Sequence, residues 1–94
     1  MLNKIFGPSL NLLILDLFLE NPDEIMNLKK VADGINKNPG SISRIIPVLV
    51  MIGVIKPFTV GKKSVVYTLD KNKKLVQILL DFYQNLKKIK IVVE

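Results

Sequence analysis

The sequence predicts an α+β domain, mostly α, and three observations carry that prediction. The stretch SLNLLILDLFLE (residues 9–20) repeats apolar residues at helical spacing behind a capping serine. Two short runs, VIKPFTV (54–60) and VVYTL (65–69), are rich in β-branched and aromatic residues and flank the turn-like GKKS. A last apolar-periodic stretch begins at residues 70–72 and reaches about Lys88. The chain's 94 residues suffice for a single domain, 1–94, with one modest core.

The first helix is predicted over 9–20, capped by Ser9 and stopped by Asn21-Pro22. At 100° per residue, Leu10, Leu13, Ile14, Leu17 and Phe18 share one face, and Leu12, Leu15 and Leu19 form a stripe on the other side. A helix apolar on both sides must be covered on both sides. In so short a chain the second cover is expected to be another copy, with packing inside one chain as the alternative. A short helix follows over 27–35, capped by Asn27, with Leu28, Val31, Ala32 and Ile35 inward and Lys29, Lys30 and Asp33 outward. Asn36 suits the left-handed exit.

The next helix is predicted over 38–52. Asn38 caps it, and Pro39 takes the first position, where its missing N–H costs nothing. Ile42, Ile45, Ile46, Leu49 and Ile52 share the core face. Gly40, Ser43, Arg44, Pro47 and Met51 share the outer one, with Ser41 and Val48 at its edge. Pro47 cannot donate to the carbonyl of Ser43, so a helix bent at that point is expected. Gly53 ends the helix. The hairpin over 54–69 has its tip at Gly61–Ser64, and Pro57 argues for a free edge on the first strand. Val65, Tyr67 and Leu69 are expected to face inward. The last helix, 71–88, is expected to put Leu75, Ile78, Leu79, Phe82, Leu86 and Ile89 on the core, while Val76, Leu80 and Tyr83 widen its apolar surface.

Composition excludes several chemistries. The chain is 49% hydrophobic with mean hydropathy +0.35, yet carries net charge +6. It has no Cys and no His, so the commonest general base and the usual thiolate and imidazole ligands are missing. No acid/base pair, phosphate-cradling glycine loop or activated nucleophile stands out, so no enzyme, cofactor or metal is expected. The apolar run 45–55 holds Pro47 and Gly53 and is too short to cross a bilayer. The N-terminal stretch, broken by Asn11 and Asp16, does not end in a small-residue cleavage site. A cytoplasmic protein is expected.

Charge is unevenly spread. Residues 1–24 carry −3, residues 25–69 carry +6, and residues 70–94 carry +3. A basic middle segment favours a polyanion partner, although lysines also solubilise a greasy chain. Arg44 is the one arginine beside thirteen lysines.

The order helix, short helix, tight turn, helix, hairpin, helix resembles the winged helix-turn-helix family of prokaryotic and archaeal transcriptional regulators: a three-helix core, a two-stranded β-wing and a long C-terminal helix. The likeness covers residues 9 to about 88. In LKKVADGINKNPGSISRIIPVLVMIGVI, Ala32 takes the small-residue crossing position, and Val31, Ile35, Ile42 and Ile45 match the buried ones. LVMIGVIKPF, the hairpin and VYTLD match the passage into the wing. The turn departs from the family in having Asn36 for the usual glycine, and Pro47 falls inside the presumed recognition helix.

The resemblance implies a homodimer that binds double-stranded DNA, as a repressor occupying a promoter. The 38–52 helix would enter the major groove with Ser41, Ser43 and Arg44 leading. Arg44 can pair bidentately with guanine, which lysine cannot match. Asn38 and the backbone N–H groups near Gly40 would take phosphate at the helix start. Lys29, Lys30 and Lys37 would hold phosphates, and Lys62 and Lys63 at the wing tip, with Ser64 beside them, would reach the flanking backbone or minor groove. Leu12, Leu15, Leu19, Val76, Leu80 and Tyr83 would make the dimer interface. Any small-molecule effector is unnamed by the sequence and would sit between subunits. The alternatives are a winged helix used for protein interaction within a larger assembly and, more remotely, membrane contact through the C-terminal KKIKIVVE.

Overall fold

The computed structural model describes residues 1–89. Its elements are α1 (Leu2–Phe6), α2 (Leu10–Glu20), α3 (Leu28–Ile35), α4 (Pro39–Ile52), β1 (Ile55–Val60), β2 (Ser64–Leu69) and α5 (Lys74–Lys88). This is an α+β fold made mostly of helix. The end of KKIKIVVE lies outside the described residues, and no helix among those described is long and apolar enough to cross a membrane.

Local chemistry accounts for the helix ends. Ser9 Oγ accepts the Leu12 N–H at 3.2 Å, Asn27 Oδ1 accepts that of Lys30 at 2.8 Å, and Asn38 Oδ1 accepts that of Gly40 at 2.7 Å. Asn36 leaves α3 at φ 55°, ψ 50°, with its N–H on the carbonyls of Ala32 and Asp33. Gly53 closes α4 at φ 95°, where a side chain would be strained. α5 starts at Lys74, later than the sequence suggested. Asp70 holds the preceding residues in a turn, its side chain accepting the Asn72 N–H at 3.3 Å and its carbonyl that of Lys73 at 3.0 Å.

β1 and β2 pair antiparallel from Ile55↔Leu69 to Val60↔Ser64, so Ser64 belongs to the strand and the tip is Gly61–Lys63. Tyr67 exchanges both backbone bonds with Met26, at 2.8 and 2.9 Å. Its partner across the hairpin, Pro57, is therefore in a non-hydrogen-bonded pair, where the missing N–H points away from β2. Val65 lies near the tip and is exposed, whereas Tyr67 is half-buried and Leu69 fully buried.

The core gathers Ile14, Phe18 and Leu19 of α2, Val31 and Ala32 of α3, and Ile42, Ile46 and Leu49 of α4. Ile55, Leu69, Val76 and Tyr83 close it. α2 packs against α1, α3, α4, α5 and β2, which is why it is apolar all round. This corrects the expected dimer surface: Leu19, Val76 and Tyr83 are buried within one chain, and Leu12, Leu15 and Leu80 are half-buried against the same core. The rotation of α5 is also corrected. Val76 and Tyr83 face inward, whereas Leu75, Ile78, Phe82 and Ile89 are exposed, at 42%, 58%, 42% and 67%. Ile52 is exposed too, because the chain reverses at Gly53 and Val54 and Ile55 fill the core beyond it.

Two polar anchors set these arrangements. Asp16 caps α1 from α2, accepting the Leu2 N–H at 2.7 Å and the Asn3 N–H at 3.0 Å. Tyr83 donates its hydroxyl to Glu20 Oε2 at 2.6 Å, and Lys87 donates to Glu20 Oε1 at 3.3 Å, which fixes the rotation of α5. The Tyr83 hydrogen bond holds the Glu20 carboxyl below its ordinary range against burial, which pushes it up, and Lys87 adds to the lowering. Burial, then the Glu20 hydrogen bond, push the Tyr83 phenol up. The lowered Glu20 stabilises the fold above the ordinary carboxylate range, and that contribution is lost as pH falls through its folded value. The raised Tyr83 stabilises the fold below the ordinary phenol range, and that contribution is lost as pH rises through its folded value. Tyr83→Phe is expected to cost about 1 kcal/mol at neutral pH, a value discounted because Glu20 is half exposed. The variant should also lose the share of Glu20's acid-side stability slope that the Tyr83 hydrogen bond supplies, while Lys87 keeps the rest. Urea melts at several pH values check both; an unchanged slope would remove the pair from the account.

Candidate nucleic-acid interface

α3 and α4 meet through a turn at Asn36–Asn38 and pack on each other and on α2. Leu28, Val31, Ala32 and Ile35 of α3 turn inward, leaving Lys29, Lys30 and Asp33 exposed. Gly34 permits the close approach of α2, since a Cβ there would meet the Leu17 side chain at 3.0 Å. α4 carries no acidic side chain, and its exposed surface changes character along its length. The N-terminal half presents Gly40, Ser41, Ser43 and Arg44. The C-terminal half presents Pro47, Val48, Met51 and Ile52, with Met51 80% exposed.

All eleven residues singled out for DNA are exposed, but their hydrogen bonding separates them. Arg44, Lys29, Lys37, Lys62 and Lys63 make no ion pair among the described residues. Lys30 differs: its ammonium lies 3.2 Å from Glu24 Oε1, so a phosphate must compete with that carboxylate. Ser43 donates its hydroxyl to the Gly40 carbonyl at 2.8 Å, leaving it an acceptor toward any partner. The expected phosphate seat on backbone N–H groups near Gly40 is not open. Gly40 N–H is taken by Asn38 Oδ1, and those of Ser41 and Ile42 reach the Asn38 carbonyl at 3.1 and 3.4 Å. Asn38 keeps its side-chain N–H groups for an acceptor. Ser64, paired with Val60, stands where the tip joins β2.

Sequence reasoning missed the exposed stripe of Leu75, Ile78 and Phe82 on α5, continued by Ile89 at its C-cap. Their spacings of three, four and seven residues form a heptad seam, a signal present in the sequence but assigned to the core.

No family model matches the sequence, and comparison with curated proteins finds no match. The fold is similar to that in the crystal structure of RV1404 from Mycobacterium tuberculosis, with a TM-score of 0.63 and 15% sequence identity. The likeness covers 90% of this chain and 58% of that one, so this chain spans a little over half its length. At that identity the resemblance is one of fold alone.

Proposed function

We propose that the chain is a winged helix-turn-helix domain that binds double-stranded DNA as a homodimer and regulates transcription, as a repressor that occupies a promoter. α3 and α4 are the helix-turn-helix, and the β1–β2 hairpin is the wing. The observation that carries this reading is the N-terminal half of α4, an exposed, acid-free surface of small polar residues around the chain's one arginine. Such a surface lets a helix approach base edges closely, and the unpaired Lys29, Lys37, Lys62 and Lys63 supply cations for the flanking phosphates. Self-association would use the α5 seam, with the half-buried Leu79 and Leu86 at its margin, in place of the expected interface. Two α4 helices would then meet successive major grooves of a near-palindromic site.

The test is gel shift and fluorescence anisotropy on a duplex selected from a random pool. Arg44→Ala is expected to weaken binding by about 5- to 150-fold, corresponding to roughly 1–3 kcal/mol, and to relax base preference at one position of each half-site. The Lys62→Ala/Lys63→Ala double variant is expected to weaken binding to all sequences and to flatten its salt dependence. Wild-type affinity in both variants would sink this binding mode.

The C-terminal half of α4 favours a second reading, a winged helix that docks a protein partner. Val48, Met51 and Ile52 are exposed at 38%, 80% and 55%, and an apolar patch gains little from phosphate. A stable heteromeric complex insensitive to salt, with no selected duplex, would decide for it.

A further inference from the structure

An open cavity of about 390 Å³ lies between the start of α2 and the α3–α4 turn. Pro8, Leu10 and Leu13 give it an apolar wall, and Ser9, Lys37 and Ser41 give it a polar one, with Asn38 beside them. Its size is at the lower end of the range for small-molecule pockets, enough for a single ring or a short branched chain. No carboxylate lines it. The other cavities described here differ: one contains Asp16 and Glu20, and another contains Asp23. The Lys37 ammonium has no ion-pair partner among the described residues, and the Ser41 hydroxyl has no hydrogen-bond partner there. Leu10 and Leu13 are half-buried, so their open sides face solvent that an apolar group would displace.

We propose that this cavity binds a small amphipathic carboxylate, its anionic head on Lys37 and Ser41 and its compact apolar body against Pro8, Leu10 and Leu13. Charge complementarity selects the head, because the lining holds one cation and no anion. The wall of Leu10 and Leu13 selects the body, because it offers a bare phosphate no hydrogen bond. The inference has a regulatory consequence that rests on the DNA reading. Lys37, Asn38 and Ser41 belong both to the cavity and to the surface assigned to DNA, so carboxylate and duplex compete.

The experiment titrates the full chain, without DNA, with benzoate, benzamide and inorganic phosphate while backbone amide resonances are followed by NMR. Benzoate is expected to give saturable shifts at Leu10, Leu13, Lys37 and Ser41, and both benzamide and phosphate to bind far more weakly. Lys37→Gln is expected to weaken benzoate binding about tenfold, the loss of one charge-assisted hydrogen bond. Lys4→Gln, on α1 and outside the cavity lining, should leave it unchanged. Absence of saturable shifts overturns the site. Equal binding of benzamide overturns the anionic head, and equal binding of phosphate overturns the apolar body. In a second arm, benzoate added to the protein–DNA complex should raise the apparent Kd. A complex indifferent to saturating benzoate overturns the competition. A chain that binds benzoate at these residues but no duplex overturns the DNA reading and upholds the ligand site.

Discussion

Replacing Pro47 with alanine is expected to stabilise the protein by about 3 kcal/mol, the cost of a proline in a helix interior. α4 runs without a break from Pro39 to Ile52, and Pro47 lies on its exposed side. Alanine would restore the missing N–H to the Ser43 carbonyl and remove the ring without touching the core. Urea denaturation checks it, as a rise in midpoint at unchanged slope. An unchanged or lower midpoint would mean that the core is fitted to a helix bent at the proline. The same variant bears on function. The Ser43 carbonyl lacks its helical donor beside the arginine of the proposed groove surface, so a more stable variant that binds duplex less well would place Pro47 among the determinants of recognition.

The second large effect is expected at Phe18. Phe18→Ala should cost about 3–5 kcal/mol, because its ring is fully buried in the centre of the core and the cavity left behind collapses only in part. Phe82 is the control that the fold supplies. It is 42% exposed on the α5 seam, and Phe82→Ala should cost about 1 kcal/mol or less in the monomer. Its main effect should appear in sedimentation velocity, as a weaker concentration-dependent association. A Phe82→Ala chain that self-associates like wild type would remove the seam from the proposed dimer, and a Phe18→Ala loss below about 1 kcal/mol would mean that α2 is not the centre of the core.

What the sequence revealed was mainly local. Ser9, Asn27, Asn36, Asn38 and Gly53 act through bonds to residues a few places away, so their roles follow from residue type and spacing. Pro57 likewise announces the free edge of β1. The rotation of α5 was hidden because its apolar residues cover a wide arc. Leu79 and Leu86 lie between the buried and exposed faces, and periodicity alone does not choose which edge meets the body. The choice is made by a pair 63 residues apart, Tyr83 and Glu20. α1 was hidden for a similar reason: its five residues show little periodicity, and its cap comes from Asp16 on α2. Of the candidate interface, the residue types were legible and their pairing was not. Nothing in composition shows that Glu24 holds Lys30, or that Asn38 spends the N–H of Gly40 on itself.

The bridge between Met26 and Tyr67 divides the hairpin mechanically. Below it, the strands share a hydrogen-bonded base with the residues leading into α3. Above it, Phe58 to Val66 form a short boom tied at one end only. Under the DNA reading, the angle at which the boom leaves the body is set by folding, and the boom's outer end is free to settle at different depths. A duplex whose minor groove narrows at the flank would hold that end more firmly than a wide one, so the shape of bases that no side chain touches would enter the affinity.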